Sequence, residues 1–144
     1  MPSRSIRRLI ENRKLVTATE QTTVTEAAKL MKSAKVGAVL VVKKDHIAGI
    51  FTERDAISRV VAEGLDPAHT KLAHVMTHDP FTIEPDKPFA HALILMREHG
   101  FRHVPVVDQG RPVGVVSVRD ALGVEIQELE ADIRQREHIA NILG

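Results

Sequence analysis

The sequence predicts an α+β fold built from two copies of one β-α-β-β-α unit, followed by an extended C-terminal helix. Three observations predict it. First, the chain repeats itself at a fixed offset of 65 residues, with no gap between Val16 and Ile57. Gly49-Ile50-Phe51-Thr52-Glu53-Arg54-Asp55-Ala56 returns as Gly114-Val115-Val116-Ser117-Val118-Arg119-Asp120-Ala121. Second, the apolar residues of each copy switch from helical spacing to short β-branched runs. Third, a unit of about 60 residues buries only a marginal core by itself, so the two copies are expected to share one.

The elements follow in order. Residues 5–11 read as a short helical lead-in with Ile6, Leu9 and Ile10 on one face. A short strand begins near Val16. Thr23-Val24-Thr25-Glu26 has the hydroxyl-then-glutamate spacing of a capping box and opens a helix with Val24, Ala27, Ala28 and Met31 on one face. In the second copy Pro88 stands at the position of Thr23, suited to a first helical turn, and the helix runs through Leu95 and Met96 to Gly100. Val36 to Val42 and Phe101 to Val107 read as buried strands. Polar turns at Lys43–His46 and Asp108–Arg111 lead into the return strands Ile47 to Phe51 and Pro112 to Val116, a hairpin spacing. Helices then start at Glu53 and Val118. Gly64 to Thr77 reads as a linker, marked by Gly64 and Asp66-Pro67. The last helix outgrows its first-copy counterpart. Leu122, Ile126, Leu129 and Ile133 keep a 4-3-4 spacing, and Ala140 and Leu143 continue the seam past Arg136. Such a face packs against a second subunit or against the body of its own chain.

Composition narrows the function. Twenty Lys and Arg against nineteen Asp and Glu give a net charge of +1, with no global field for nucleic acid or anionic lipid. The local basic run Arg4, Arg7, Arg8, Arg13 and Lys14 reads as a solvated helix face before a phosphate contact. No Trp or Tyr is present for base stacking. The absence of Cys excludes disulfides, thiolate catalysis and cysteine-ligated zinc, and is compatible with the cytoplasm. No secretory signal pattern and no apolar run of about 20 residues is visible, so no membrane association is expected. His74/His78 and His99/His103 have i,i+4 spacing, but neither pair keeps a clean helical face with a third ligand, so no metal site is expected.

The repeat retains more than a core needs. Thr52-x-x-Asp55 and Ser117-x-x-Asp120 each stand where a strand enters a helix. Two readings share the same physics. A hydroxyl followed three residues later by an acid caps a helix. The same free amides and hydroxyl attract a phosphate, and the aspartate can accept from the vicinal hydroxyls of a ribose. Arg54 and Arg119 can reach anionic oxygens with a planar fork. Gly49, Gly114, Gly37 and Ala38 allow close backbone approach. No Walker loop or dinucleotide fingerprint occurs.

The doubled unit resembles a pair of CBS motifs, a tandem regulatory module known as a Bateman module. The resemblance rests on the signature G-h-h-[ST]-x-R-D at Gly49–Asp55 and Gly114–Asp120, on Phe101–Asp108 before the second signature, and on Asp79-Pro80. It implies a single module over 1–144. The first motif would span 5–64, a linker and lead-in 65–79, the second motif 80–125 and a helical extension 126–144. It also implies packing about a pseudo-twofold axis, with two clefts for adenosine derivatives: AMP, ADP, ATP, S-adenosylmethionine or NAD. By position, Asp55 and Asp120 would hold ribose hydroxyls, and Thr52 and Ser117 would meet phosphate or ribose. Arg54 and Arg119 would meet phosphates, and Thr17 and Thr82 would contact adenine or ribose. Val36, Ala38, Val104 and Pro105 would wall the base, and Arg102 and His103 would bring positive charge to phosphate. The copies differ: Gly37-Ala38 and Leu40 stand where the second copy has Arg102-His103 and Pro105. The cleft of Ser117 and Asp120 is the favoured one. The expected function is a non-catalytic sensor, a homodimer needing no cofactor, which signals through assembly or an unknown protein partner. A dimerisation scaffold with vestigial clefts is the alternative, and a small nucleotide hydrolase a further one.

Overall fold

The computed structural model describes residues 4–143. Helix α1 (Ile6–Ile10) opens under Ser5, whose Oγ accepts from the Arg8 amide. Strand β1 (Thr17–Ala18), helix α2 (Val24–Ala34) and strands β2 (Ala38–Lys43) and β3 (His46–Thr52) follow. The capping box at the start of α2 is complete: the Glu26 amide donates to Thr23 Oγ1 at 3.2 Å and the Thr23 amide to Glu26 Oε2 at 3.3 Å. Helix α3 (Glu53–Asp55) continues into a π-helical stretch over Ala56–Val61. After helix α4 (Leu72–Val75) and strand β4 (Thr77–His78), the second copy supplies helix α5 (Phe89–His99), strands β5 (His103–Asp108) and β6 (Arg111–Ser117), and helix α6 (Val118–Leu143).

Both hairpins turn on two residues with positive φ, Lys44 (53°) and Asp45 (65°) in one and Gln109 (51°) and Gly110 (82°) in the other. Two such residues twist the turn in the sense the strands require. Each hairpin carries a register shift at the same repeat position, Val41/Val42 and Val106/Val107. The first sheet has the order β1-β2-β3-β4, with β1 parallel to β2 and the other pairs antiparallel. In the second sheet β5 and β6 pair alone, and the counterpart of β1 shrinks to a parallel bridge from Ile83 to Val106.

The lead-in helices are exchanged between the copies. α1 precedes the first copy but its Ile6 and Ile10 sit in the core of the second, with Phe89, Ala92, Val104 and Val116. α4 and the residues after it, within the stretch expected as linker, fill the core of the first copy: Leu72, Val75 and Met76 join Val24, Ala27, Val39 and Phe51. Backbone bonds secure both placements, Ile6 N–H to the Lys87 carbonyl and Val24 N–H to the Thr70 carbonyl. Gly49 and Gly114 exist for this packing rather than for a ligand. A Cβ at Gly114 would lie 2.9–3.0 Å from Ile10, and one at Gly49 would lie 2.6 Å from Met76 Sδ.

Each copy thus completes its own core with a helix from outside its repeat, instead of both sharing one core. What they share is a smaller cluster of Ala38, Leu40 and Ile50, packed with Leu15, Ile47 and Val115. Of the two placements open to the last helix, its own chain is not the one taken. Leu122, Ile126, Leu129, Ile133 and Leu143 are 44–81% exposed.

Candidate functional site

The strand-to-helix junction of the first copy builds one side of a cleft. Thr52 is the N-cap of α3, and its Oγ1 accepts the Asp55 amide at 3.2 Å. Asp55 answers through Oδ2, accepting the Thr52 amide at 2.9 Å. The capping reading is therefore realised, but it uses one carboxylate oxygen. The other, Oδ1, has Arg59 Nε at 3.6 Å, beyond a good hydrogen bond. Asp55 is buried despite its charge.

A cavity of about 780 Å³ opens beside this carboxylate, within the usual range for small-molecule sites. It is lined by Thr52, Asp55 and the following helix, by His78 of β4 with Asp79–Phe81 after it, and by His99 and Phe101–His103 of the second copy. Of the residues expected at a site, the cavity brings together Thr52, Arg54, Asp55, Arg102 and His103. Ser117, Arg119 and Asp120 do not line it, so this cavity is not at the junction the sequence favours. Thr17 and Thr82 are exposed on the strand leads, and Val36 is 38% exposed. Ala38, Val104 and Pro105 are buried and line no part of the cavity.

Two of the arginines lining the cavity, Arg54 and Arg59, hold protein carbonyls. Arg54 Nη1 donates to Gly100 O at 2.9 Å, tying the first copy's helix to the left-handed C-cap of α5. Arg59 Nη1 donates to Val75 O and Met76 O at 3.2 and 2.9 Å, satisfying carbonyls at the end of α4. Arg102 is exposed at the mouth. His103 lies between the two copies, close to Gly37: a Cβ there would be 3.3 Å from its Nε2. Burial lowers the His103 pKa, and Arg102 adds to this; Glu53, Asp120 and Asp55 pull the other way without reversing it. The ring is neutral near pH 7.

Sequence reasoning missed the aromatic side of the cavity. Phe81 and His99 stack with centroids 4.2 Å apart, and Phe101 lies 5.9 Å from Phe81 and 5.6 Å from His99. The signal was in the repeat: Val16, Ala34 and Val36 occupy the same places in the first copy. Three aliphatic positions become three rings on one wall. Stacked rings and a carboxylate lining one cavity suit a heteroaromatic base joined to a hydroxylated sugar.

In the second junction Asp120 Oδ2 accepts the Ser117 amide at 2.8 Å, as in the first, but Oδ1 accepts Arg13 Nη2 at 2.6 Å. Arg7 is also paired within the chain, with Asp86 at 2.9 Å and Asp108 at 3.4 Å. Much of the basic N-terminal run therefore answers acids of the second copy. Among the described residues no group of three or more His, Asp or Glu is placed to hold a metal ion.

The pattern of CBS domains matches the chain twice, over residues 6–62 and 72–126. The chain belongs to the CBS domain family. The CBS domain-containing protein CBSCBSPB2 of Arabidopsis thaliana is 35% identical over 128 residues, 88% of this chain and 24% of that protein. The chain thus spans about a quarter of that relative's length. Among solved structures, a CBS domain protein from Pyrobaculum aerophilum complexed with AMP is 30% identical with a TM-score of 0.74, over 81% of this chain and 89% of that one. The CBS domain pair of protein MJ0100, in complex with 5′-methylthioadenosine and S-adenosyl-L-methionine, is 25% identical with a TM-score of 0.78, over 88% and 99% of the two chains. The CBS pair here is an α+β fold of that architecture. Among the described residues no helix is long and apolar enough to cross a membrane.

Proposed function

We propose that this CBS pair is a non-catalytic regulatory module that binds an adenosine-containing ligand in the cavity beside Asp55. The observation that carries the reading is the joint lining of that cavity by Asp55 and the Phe81-His99-Phe101 wall. Asp55 Oδ1 accepts the ribose hydroxyls, the rings face the base, and Thr52, Arg102 and His103 face the remaining group. AMP and S-adenosylmethionine-type ligands head the list because CBS structures of similar fold hold them; ADP, ATP and NAD present the same adenosine. The module needs no cofactor, and its lack of Cys suits a reducing compartment such as the cytoplasm.

The module assembles as a homodimer and passes occupancy to that assembly or to a protein partner. Ile57 and Val61 are 66% and 72% exposed, and their repeat equivalents Leu122 and Ile126 are 56% and 44% exposed. Four apolar side chains at matched positions of two helices form a face suited to a second copy. The test of the binding reading is a thermal melt with AMP, S-adenosylmethionine and ATP. A ligand at about a hundred times its Kd stabilises by about 2.7 kcal/mol, a visible shift. No shift from any of them at millimolar concentration leaves the dimerisation scaffold as the function.

A further inference from the structure

The two clefts have the same signature but different occupants, and the difference traces to one repeat position. Arg13 and His78 are equivalent at the 65-residue offset. His78 lies in β4, paired with Gly49, and its Nε2 bonds the Ala73 carbonyl at 3.0 Å; it lines the Asp55 cavity without bonding Asp55. Arg13 follows a different course. Gly114 lacks the Cβ that would strike Ile10, so α1 seats on β6. The Arg13 amide then donates to Ile10 O at 3.0 Å, a turn that directs the side chain to the second junction. There Nη2 meets Asp120 Oδ1 at 2.6 Å, with the Asp120 side chain 10% exposed and that of Arg13 44% exposed. With Ser117 N–H on Oδ2, both carboxylate oxygens are taken.

We infer that Arg13 is a resident counter-ion that closes the Ser117/Asp120 cleft, so that each chain takes one adenosine ligand, at Asp55. The guanidinium takes an acceptor position on Oδ1 that a ribose hydroxyl would use, and it is tethered by the packing of α1. A ligand entering at Asp120 has to displace a charge-assisted bond of 2.6 Å, whereas at Asp55 it meets an oxygen whose ion pair with Arg59 Nε is stretched to 3.6 Å. Residue 13 sets the number of sites; the two signatures do not. The inference rests on the adenosine reading of the Asp55 cavity.

Isothermal titration with AMP tests it on the full chain, using wild type, Arg13→Ala, Arg13→Lys and Asp55→Asn. The expected result is one site per chain in wild type and in Arg13→Lys, and two in Arg13→Ala. Asp55→Asn weakens the wild-type site at least tenfold, and in Arg13→Ala/Asp55→Asn the new site remains. Two sites in wild type overturn the inference, and so does one site in Arg13→Ala with an unchanged melting temperature. If Arg13→Ala lowers the wild-type affinity instead, Arg13 holds the ligand and the inference is wrong. Binding by none of the variants, with folded proteins by circular dichroism, removes the underlying binding reading and the inference with it. Exposed in part and bonded by its side chain to Asp120, Arg13 is not a core residue; a crosslink-free second readout is the AMP-bound structure of Arg13→Ala, in which density beside Asp120 is expected.

Discussion

Asp55 serves two masters, and its two oxygens separate them. Oδ2 closes the cap on the Thr52 amide, and Oδ1 pairs with Arg59 at 3.6 Å where Asp55 lines the cavity. Asp55→Asn keeps an acceptor for the cap and removes the charge that favours the helix N-terminus, a loss of roughly 0.3–1 kcal/mol. A charge-assisted bond to a ligand hydroxyl is worth about 1.5–3 kcal/mol. We therefore expect Asp55→Asn to lower the unliganded melting temperature slightly and the AMP affinity about tenfold or more. A large loss of stability with unchanged affinity would return Asp55 to capping alone. His103 supplies a pH dependence. Burial lowers its pKa in the fold, below the 6.5 of the unfolded chain, so the unfolded state takes up the proton first. Stability is then full above about pH 6.5 and falls as pH drops through that value toward the folded pKa. Melting temperatures should decline as pH falls below about 6.5 in wild type and decline less in His103→Gln; equal slopes would place the effect elsewhere.

At the scale of elements, the exchange of α1 and α4 makes the two copies one folding unit. Neither core is complete without a helix from outside its repeat, and Gly49 and Gly114 are the contact points. Gly114→Ala places a methyl 2.9–3.0 Å from the buried Ile10. Gly49→Ala places one 2.7 Å from a backbone oxygen, Thr77 O. Overpacking of this kind costs roughly 1–3 kcal/mol, read as a lower denaturant midpoint at constant m-value. Because Gly114 also seats the helix that delivers Arg13, Gly114→Ala should loosen the Arg13–Asp120 pair, whereas Gly49→Ala should not. A neutral effect of either change would mean that the helix seats slide freely. Both changes together should unfold the chain in one transition, since each core borrows from the other repeat.

For the whole molecule, the exposed apolar positions Ile57, Val61, Leu122 and Ile126 predict assembly. Light scattering should return about twice the 15.9 kDa chain mass. Ile57→Asp with Leu122→Asp should give monomers with little change in the melt of the monomer, because both side chains face solvent in the single chain. An unchanged mass would move the interface to the rest of α6, whose Leu129, Ile133 and Leu143 are also exposed; truncation after Gly123 would then dissociate the dimer. A mass near 16 kDa in wild type at micromolar concentration would deny the dimer.

The sequence by itself determined the units of this protein. A gapless repeat carries its own hydrophobic pattern, caps and turns, all of them local in the chain, so both hairpins and the helices that flank them were legible within a residue or two; α4 and β4 were not, and the expected first strand of the second copy is a single bridge. The signature residues Thr52, Asp55, Ser117 and Asp120 were legible for the same reason. What only the tertiary structure decided is long-range. Gly49 and Gly114 looked like ligand approaches, but whether a glycine faces a ligand or a packed Ile10 depends on where a distant helix lands. The stretch 65–79 reads as polar and broken along the chain, yet Leu72 and Val75 are buried because the first core lacks a wall there. The aromatic face of Phe81, His99 and Phe101 is assembled from a strand lead and both sides of a helix cap. The ion pair on Asp120 comes from an arginine 107 residues away in the chain. Periodicity reports which side of an element is buried; it carries no information about which partner, across a hundred residues, does the burying.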